Sequence, residues 1–211
     1  MKILIYSDVH GNLPAFQKML EIEGVCDRYV CLGDLVNYGP WINECVDLAM
    51  SLPDSTLIMG NHEEAFINGY YPGENILVQR FFEKTYPTFT KKEAISQFEN
   101  ELKLDDFICI HTLNHASIYP DTKISLDANY IIGHSHHQFK YYSNGFTLYN
   151  AGSVGQNRKY INEINYLTYD IETKVISMKS IIYDIELLIN QMKKEDYPKI
   201  CIDYYSNKEK K

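Results

Sequence analysis

The stretch YIIGHSHHQF, residues 130–139, sets His134, His136 and His137 within four positions at the end of an apolar run, in a chain that has seven histidines in all. Four other apolar runs also release groups of metal-ligand type. ILIYS leads into Asp8 and His10, YVCL into Gly33-Asp34, TLIM into Gly60-Asn61-His62-Glu63, and FICI into His111. An Asp-x-His or a Gly-Asp alone is an ordinary cap or turn. Five such pieces, each behind an apolar strand, form a pattern, because ligands collect at the carboxyl edge of the strands in open α/β sheets.

Asp8 and His10 lie two apart and point into one pocket if the chain turns after the strand, as Gly11 permits. His134 and His136 share that spacing. Asp8, His10, Asp34, Asn61, His111, His134 and His136 make seven candidate ligands. That is more than one tetrahedral ion needs, and it suits two ions sharing a carboxylate. With no cysteine in the set, imidazole and carboxylate favour manganese, iron, zinc, cobalt or nickel. Two divalent ions bring about +4 against the carboxylates of Asp8 and Asp34, which leaves about +2 to attract and polarise a phosphate ester. Ions about 3.5–4 Å apart clamp both oxygens of an in-line displacement. His115 and His137 fit no part of the set and read as surface residues.

The elements that must position these groups alternate. KILIYS reads as a strand, Pro14 to Glu23 as a helix closed by Gly24, RYVCLGD as a strand, Ile42 to Met50 as a helix stopped before Pro53, and TLIMGNHE as a third strand. The order βαβαβ predicts an α/β fold whose sheet starts parallel. Residues 64–104 read as a helical insert overhanging the site. Val78, Phe81, Phe82 and Thr85 have helical spacing there, and so do Ile95, Phe98 and Leu102. Strands then return in DFICIHT, NYIIGHS and KYYSNGFTLYN, the last a hairpin turning at Asn144-Gly145. A second antiparallel pair turns near Glu172-Thr173, and a last helix spans about Ile185 to Lys194. Residues 1–205 read as one domain, and 206–211, SNKEKK, as a disordered tail.

The 211 residues are 45% hydrophobic and 23% charged, with 18 tyrosines in excess and a net charge of −8. The acidic balance excludes a broad electrostatic grip on nucleic acid. No apolar run approaches the roughly 20 residues that span a bilayer. MKILIYSDVH reads as a strand rather than a signal peptide. The five cysteines form no C-x-x-C and read as reduced core residues, which points to a cytoplasmic protein. Tyrosine-rich strands leave a homo-oligomer open.

The motifs SDVHGN, LGDLVNYGP, GNHEE, IHT and GHSH, in that order, resemble the pattern of the calcineurin-like metallophosphoesterase superfamily. LGDLVNYGPWINECV and NAGSVGQNR are similar to its small YfcE-like phosphodiesterase branch. The resemblance covers roughly residues 1–170 and implies a four-layer α/β/β/α sandwich with mixed sheets. It implies one ion on Asp8, His10 and His136 and another on Asn61, His111 and His134. Asp34 would bridge the two, a bridging water or hydroxide would be the nucleophile, and His62 would be a catalytic acid or charge stabiliser. Asn12, Asn37, Tyr38 and Arg158 are candidate contacts to phosphate or leaving group. Thr112, Ala151 and Asn157 stand where relatives often have glycine or proline, and the last two are expected to loosen their loop. The function expected is di-metal hydrolysis of a small phosphorylated substrate: a phosphodiester, a phosphomonoester or a nucleotide such as a dinucleoside polyphosphate. The alternatives are a nuclease of the same superfamily and a non-catalytic scaffold, as in a retromer subunit.

Overall fold

A computed structural model describes all 211 residues. The first half builds β1 (Lys2–Tyr6), α1 (Leu13–Glu23), β2 (Arg28–Cys31), α2 (Ile42–Ser51), β3 (Ser55–Leu57), α3 (Asn61–Asn68), α4 (Ile76–Thr85) and the single turn α5 (Lys92–Ile95). The second half builds β4 (Leu102–Leu104), β5 (Phe107–Cys109), β6 (Asn129–Ile132), β7 (Gln138–Ser143), β8 (Phe146–Ala151), β9 (Glu163–Asp170), β10 (Val175–Ile182), α6 (Glu186–Lys194) and α7 (Lys199–Ser206). Two mixed sheets result, ordered β10-β9-β1-β2-β3 and β4-β5-β6-β8-β7. In the first, β1, β2 and β3 are parallel and β9 runs against β1. In the second, β5, β6 and β8 are parallel.

The two-residue period of β1 divides the core. Ile3 and Ile5 meet Cys109, Ile131 and Ala151 of the second sheet, while Leu4 and Tyr6 face a larger cluster with Phe16, Val46, Leu188 and Tyr205 from the helices. The two sheets therefore pack face to face, with helices outside the first. The outer face of the second sheet, at Ile132, Phe139 and Leu148, is covered by Ile118 and Leu126. These two come from a segment, 111–128, that contains no helix.

Two expectations need correction. The helix expected through Ile95, Phe98 and Leu102 stops after one turn. Glu99 instead lies against the edge of β3, donating to the Leu57 carbonyl at 2.9 Å and accepting from Met59 N–H at 2.7 Å, and Leu102 enters β4. The tail is also held in place. Lys199–Ser206 is helical because Cys201 and Tyr205 fill the helix-side core. Beyond it, Ile161 N–H donates to the Glu209 carbonyl at 2.9 Å, and Asn162 pairs both ways with the Lys211 backbone at 2.9 and 3.2 Å.

Candidate metal centre

Because β1 and β2 run parallel, Asp8 and Asp34 leave the first sheet at the same edge. The exits are laced together: Asp8 N–H donates to the Gly33 carbonyl, His10 N–H to Asp34 and Gly11 N–H to Leu35, at 3.0, 3.0 and 2.8 Å. The lacing holds an unusual backbone. Asp8, His10, Asp34, His134 and His136 have φ of 56°, 51°, 59°, 67° and 58°, left-handed values that cost a non-glycine residue about 1–3 kcal/mol each. Gly133 and Gly155 are needed for a different reason. A Cβ at Gly133 would collide with the Ser7 hydroxyl and the Asp8 carboxylate, and one at Gly155 with the Val9 carbonyl.

All seven candidate ligands converge, in two clusters. In the first, His10 Nε2 and His136 Nε2 are 3.1 Å apart, with Asp8 Oδ1 3.7 and 3.2 Å from them. In the second, Asn61 Oδ1 lies 3.0 Å from His111 Nε2 and 2.8 Å from His134 Nδ1. Asp34 Oδ2 reaches into both, 3.9 Å from His10 Nε2 and 3.3 Å from His111 Nε2.

Hydrogen bonding on the far side of the rings decides what these contacts are. The Nδ1 atoms of His10, His111 and His136 face the carbonyls of Val36, Leu32 and Gln156 at 3.1, 2.8 and 2.8 Å. A carbonyl only accepts, so each Nδ1 carries the proton and each inward Nε2 of the neutral ring is a bare lone pair. Two lone pairs at 3.1 Å, with a carboxylate beside them, repel unless a cation lies among them. Asp8 Oδ1, fully buried, has no hydrogen-bond donor, while its Oδ2 accepts from His134 N–H at 2.9 Å. Asp34 divides its oxygens likewise, Oδ1 accepting from His62 N–H at 2.9 Å. The residues fit divalent cations.

Burial opposes ionisation of Asp8, but the contacts of its carboxyl with His136 and His10 outweigh it and hold the group well below its usual range. Burial pushes His62 and His136 down to about 3 and keeps them neutral. At His111 burial also opposes charge, yet the Asp34 carboxylate lifts the ring to about 10, so with no cation in the second cluster this ring carries a second proton, on Nε2. The negative field at this position draws a positive ion.

Among the other candidates, His62 is buried beside Asp34, its Nε2 3.9 Å from Oδ2. Asn37 is fully buried, and its Oδ1 accepts from Tyr38 N–H at 2.8 Å. Its amide NH₂ must therefore donate to His62 Nδ1, at 2.9 Å. Tyr38 packs its ring on His10 and His62. Asn12 is not placed for substrate: its side chain caps α1 through Ala15 N–H and donates to the Gly155 carbonyl and the Tyr183 hydroxyl. Asn157, expected to loosen its loop, knots it by accepting from Lys159 and Tyr160 N–H at 2.8 and 3.1 Å. Ser135 turns away to Asn150, and His115 is exposed beside the second cluster.

Several residues of the site carried no assigned role in the sequence. Glu63 is fully buried, and its carboxylate accepts four backbone N–H groups, from Asp34, Leu35, Val36 and Gly60. Ser117 Oγ meets His134 Nε2 at 3.0 Å. Tyr71, from the segment between α3 and α4, stacks on His62 at 5.8 Å. Of these only Glu63 had a signal, as the last letter of GNHE.

Residues 1–174 match the model of the calcineurin-like phosphoesterase superfamily domain. The chain belongs to that superfamily. It is thus a metal-dependent phosphoesterase, and its two mixed sheets with helices are the fold of its neighbours. A metallophosphoesterase structure from Sphaerobacter thermophilus is similar with a TM-score of 0.81 and 23% identity, over 98% of this chain and 99% of that one. An uncharacterized protein of Methanocaldococcus jannaschii is 27% identical, over 93% of each chain. Phosphodiesterase YfcE of Escherichia coli is 43% identical over 42 residues, 19% of this chain and 23% of its own length. Its structure gives a TM-score of 0.53 over 87% of this chain and all of that one. No helix is long and apolar enough to cross a membrane.

Proposed function

We propose that the chain hydrolyses a small phosphate ester at a two-metal centre, with Asp8, His10 and His136 holding one ion, Asn61, His111 and His134 the other, and Asp34 reaching both. The observation that carries this is the facing of proton-free imidazole nitrogens, 3.1 Å apart in the first cluster. Divalent ions held there would supply Lewis acidity and activate water for an in-line displacement.

The protein's own part centres on His62. With Asn37 donating to Nδ1, the neutral ring carries its proton on Nε2, toward the clusters. Burial holds the titration of the ring down to about 3, so at neutral pH it is uncharged and its Nε2–H donates a hydrogen bond to the charge that develops in the transition state. A cleft of about 200 Å³, lined in part by Asn61, His111, Thr112 and His134, opens beside the second cluster and offers room for one ester substituent.

The test is hydrolysis of bis-p-nitrophenyl phosphate and p-nitrophenyl phosphate with added manganese, beside elemental analysis. Asp34→Asn should lose bound metal and activity together. His62→Ala should keep metal and lose about 10²–10⁴-fold in turnover. Full turnover by His62→Ala, or no metal bound by the wild type, would overturn the assignment.

A further inference from the structure

The chain has three arginines. Arg28 lies 3.9 Å from Asp54 and Arg80 2.8 Å from Glu83. Arg158 is half-buried, yet it has no carboxylate within ion-pair distance. Its one hydrogen bond runs from Nη1 to the Tyr204 hydroxyl, at 2.7 Å. A guanidinium has five N–H donors in a planar fork, so most of its donating capacity is unspent. A half-buried cation without a counter-ion is costly, and in a protein of net charge −8 it implies a place for an anion.

The surroundings give that place a direction. Two residues before Arg158, the Gln156 carbonyl holds His136 at 2.8 Å, so the arginine flanks the first cluster. Tyr38 packs at 4.7 Å on both His10 and Phe81, and Phe81 packs in turn on Tyr204 at 6.1 Å. The rings of Tyr38, Phe81 and Tyr204 thus lead from the cluster to Arg158. Lys208 sets its ammonium 4.5 Å from the centre of the same Tyr204 ring, and it too has no carboxylate partner.

We propose that Arg158, Lys208 and the Tyr204 hydroxyl form a subsite for a second, non-scissile phosphate. The preferred substrates are then esters carrying two or more linked phosphates, the class of nucleoside diphosphates and polyphosphates. This rests on the hydrolytic reading of the metal centre. The scissile group is held by the two clusters and His62. A substrate with one phosphate fills that centre and leaves Lys208 without a partner, whereas a linked second phosphate accepts from the guanidinium fork, the tyrosine hydroxyl and the ammonium together. The helix that carries Tyr204, with the turn that carries Lys208, is in this view part of the specificity apparatus.

The experiment measures AMP and ADP binding to the full-length, manganese-loaded protein by calorimetry at a fixed excess of free manganese, beside turnover of bis-p-nitrophenyl phosphate. ADP should bind about tenfold or more tighter than AMP, one charge-assisted pair's worth of affinity. Lys208→Gln, a change on a surface turn that leaves the fold intact, should cut that ratio to about threefold or less, and Arg158→Gln should bring it near one. Equal affinity of the wild type for the two nucleotides, or a ratio that both variants leave unchanged, would overturn the subsite. Failure of the hydrolytic reading shows separately, as absent turnover of the diester by the wild type, and the binding ratio stands or falls without it.

Discussion

Replacing Glu63 by glutamine keeps the shape of the side chain and changes one oxygen to NH₂. In the wild type Oε2 accepts from Asp34 N–H at 2.7 Å and Gly60 N–H at 3.0 Å, and Oε1 from Leu35 N–H at 2.7 Å and Val36 N–H at 3.2 Å. Glutamine retains one acceptor oxygen, so two of the four bonds are lost and two buried N–H groups face another donor. At about 1–3 kcal/mol each, the loss is about 2–6 kcal/mol. For a domain of this size about 2–4 °C accompany each kcal/mol, so the melting temperature should fall by about 4–24 °C. The pH dependence gives a second, independent readout. Burial first, and then the Asp34 charge, push the Glu63 carboxyl from 4.5 up to about 7. Between those values the folded protein keeps a proton that the unfolded chain has released. That contribution is fully present below about pH 4.5 and is lost as pH rises through about 7. Glutamine does not titrate, so in metal-stripped protein the deficit of Glu63→Gln should be largest near pH 5 and narrow toward pH 8. Thermal unfolding followed by circular dichroism in EDTA measures both. A melting point near pH 5 within about 2 °C of wild type, or a deficit that widens as pH rises, would refute the reasoning.

Two further substitutions separate positioning from chemistry. Asn37→Asp turns the partner of His62 Nδ1 into an acceptor, which moves the imidazole proton to Nδ1 and strips Nε2. The pH–rate profile should show turnover reduced by about 10²-fold at neutral pH, recovering toward acid as the ring takes a second proton, whereas a loss independent of pH would mean mere disruption. Ser117→Ala removes the hydroxyl at His134 Nε2. Chelator competition should show one ion weakened by about 10–100-fold and the other unchanged, since Ser117 touches none of Asp8, His10 and His136. Equal weakening of both would contradict the separation into two clusters.

The clusters were legible in the sequence because every contributing side chain follows directly on an apolar strand, and strand direction alone brings such positions to one edge. The hairpin at Asn144-Gly145 was legible for a comparable reason: its turn needs two left-handed residues, and both are of types that tolerate it. Glu63 was visible as a letter but not as an acceptor, because its partners are backbone N–H groups of Gly60 and of residues 34–36, which leave no trace in side-chain identity. The failed helix at Phe98 shows the same limit, since its apolar spacing is helical while its backbone is claimed by the edge of β3. The C-terminal residues were misread from composition. Lysine and glutamate signal a solvated chain, and nothing local reveals that Asn162 receives its end. Arg158 was picked out for its guanidinium, but Tyr204 and Lys208 become its neighbours only through the packing of α7.

The left-handed backbone at Asp8, His10, Asp34, His134 and His136 has a bearing on how this protein can evolve. At about 1 kcal/mol or more apiece, five such kinks weigh against folding by an amount comparable to much of a typical domain's net stability. Glycine would relax each one, and each relaxation would erase a side chain of the clusters. Selection for heat tolerance alone should therefore push these positions toward glycine, and only selection for turnover holds them where they are.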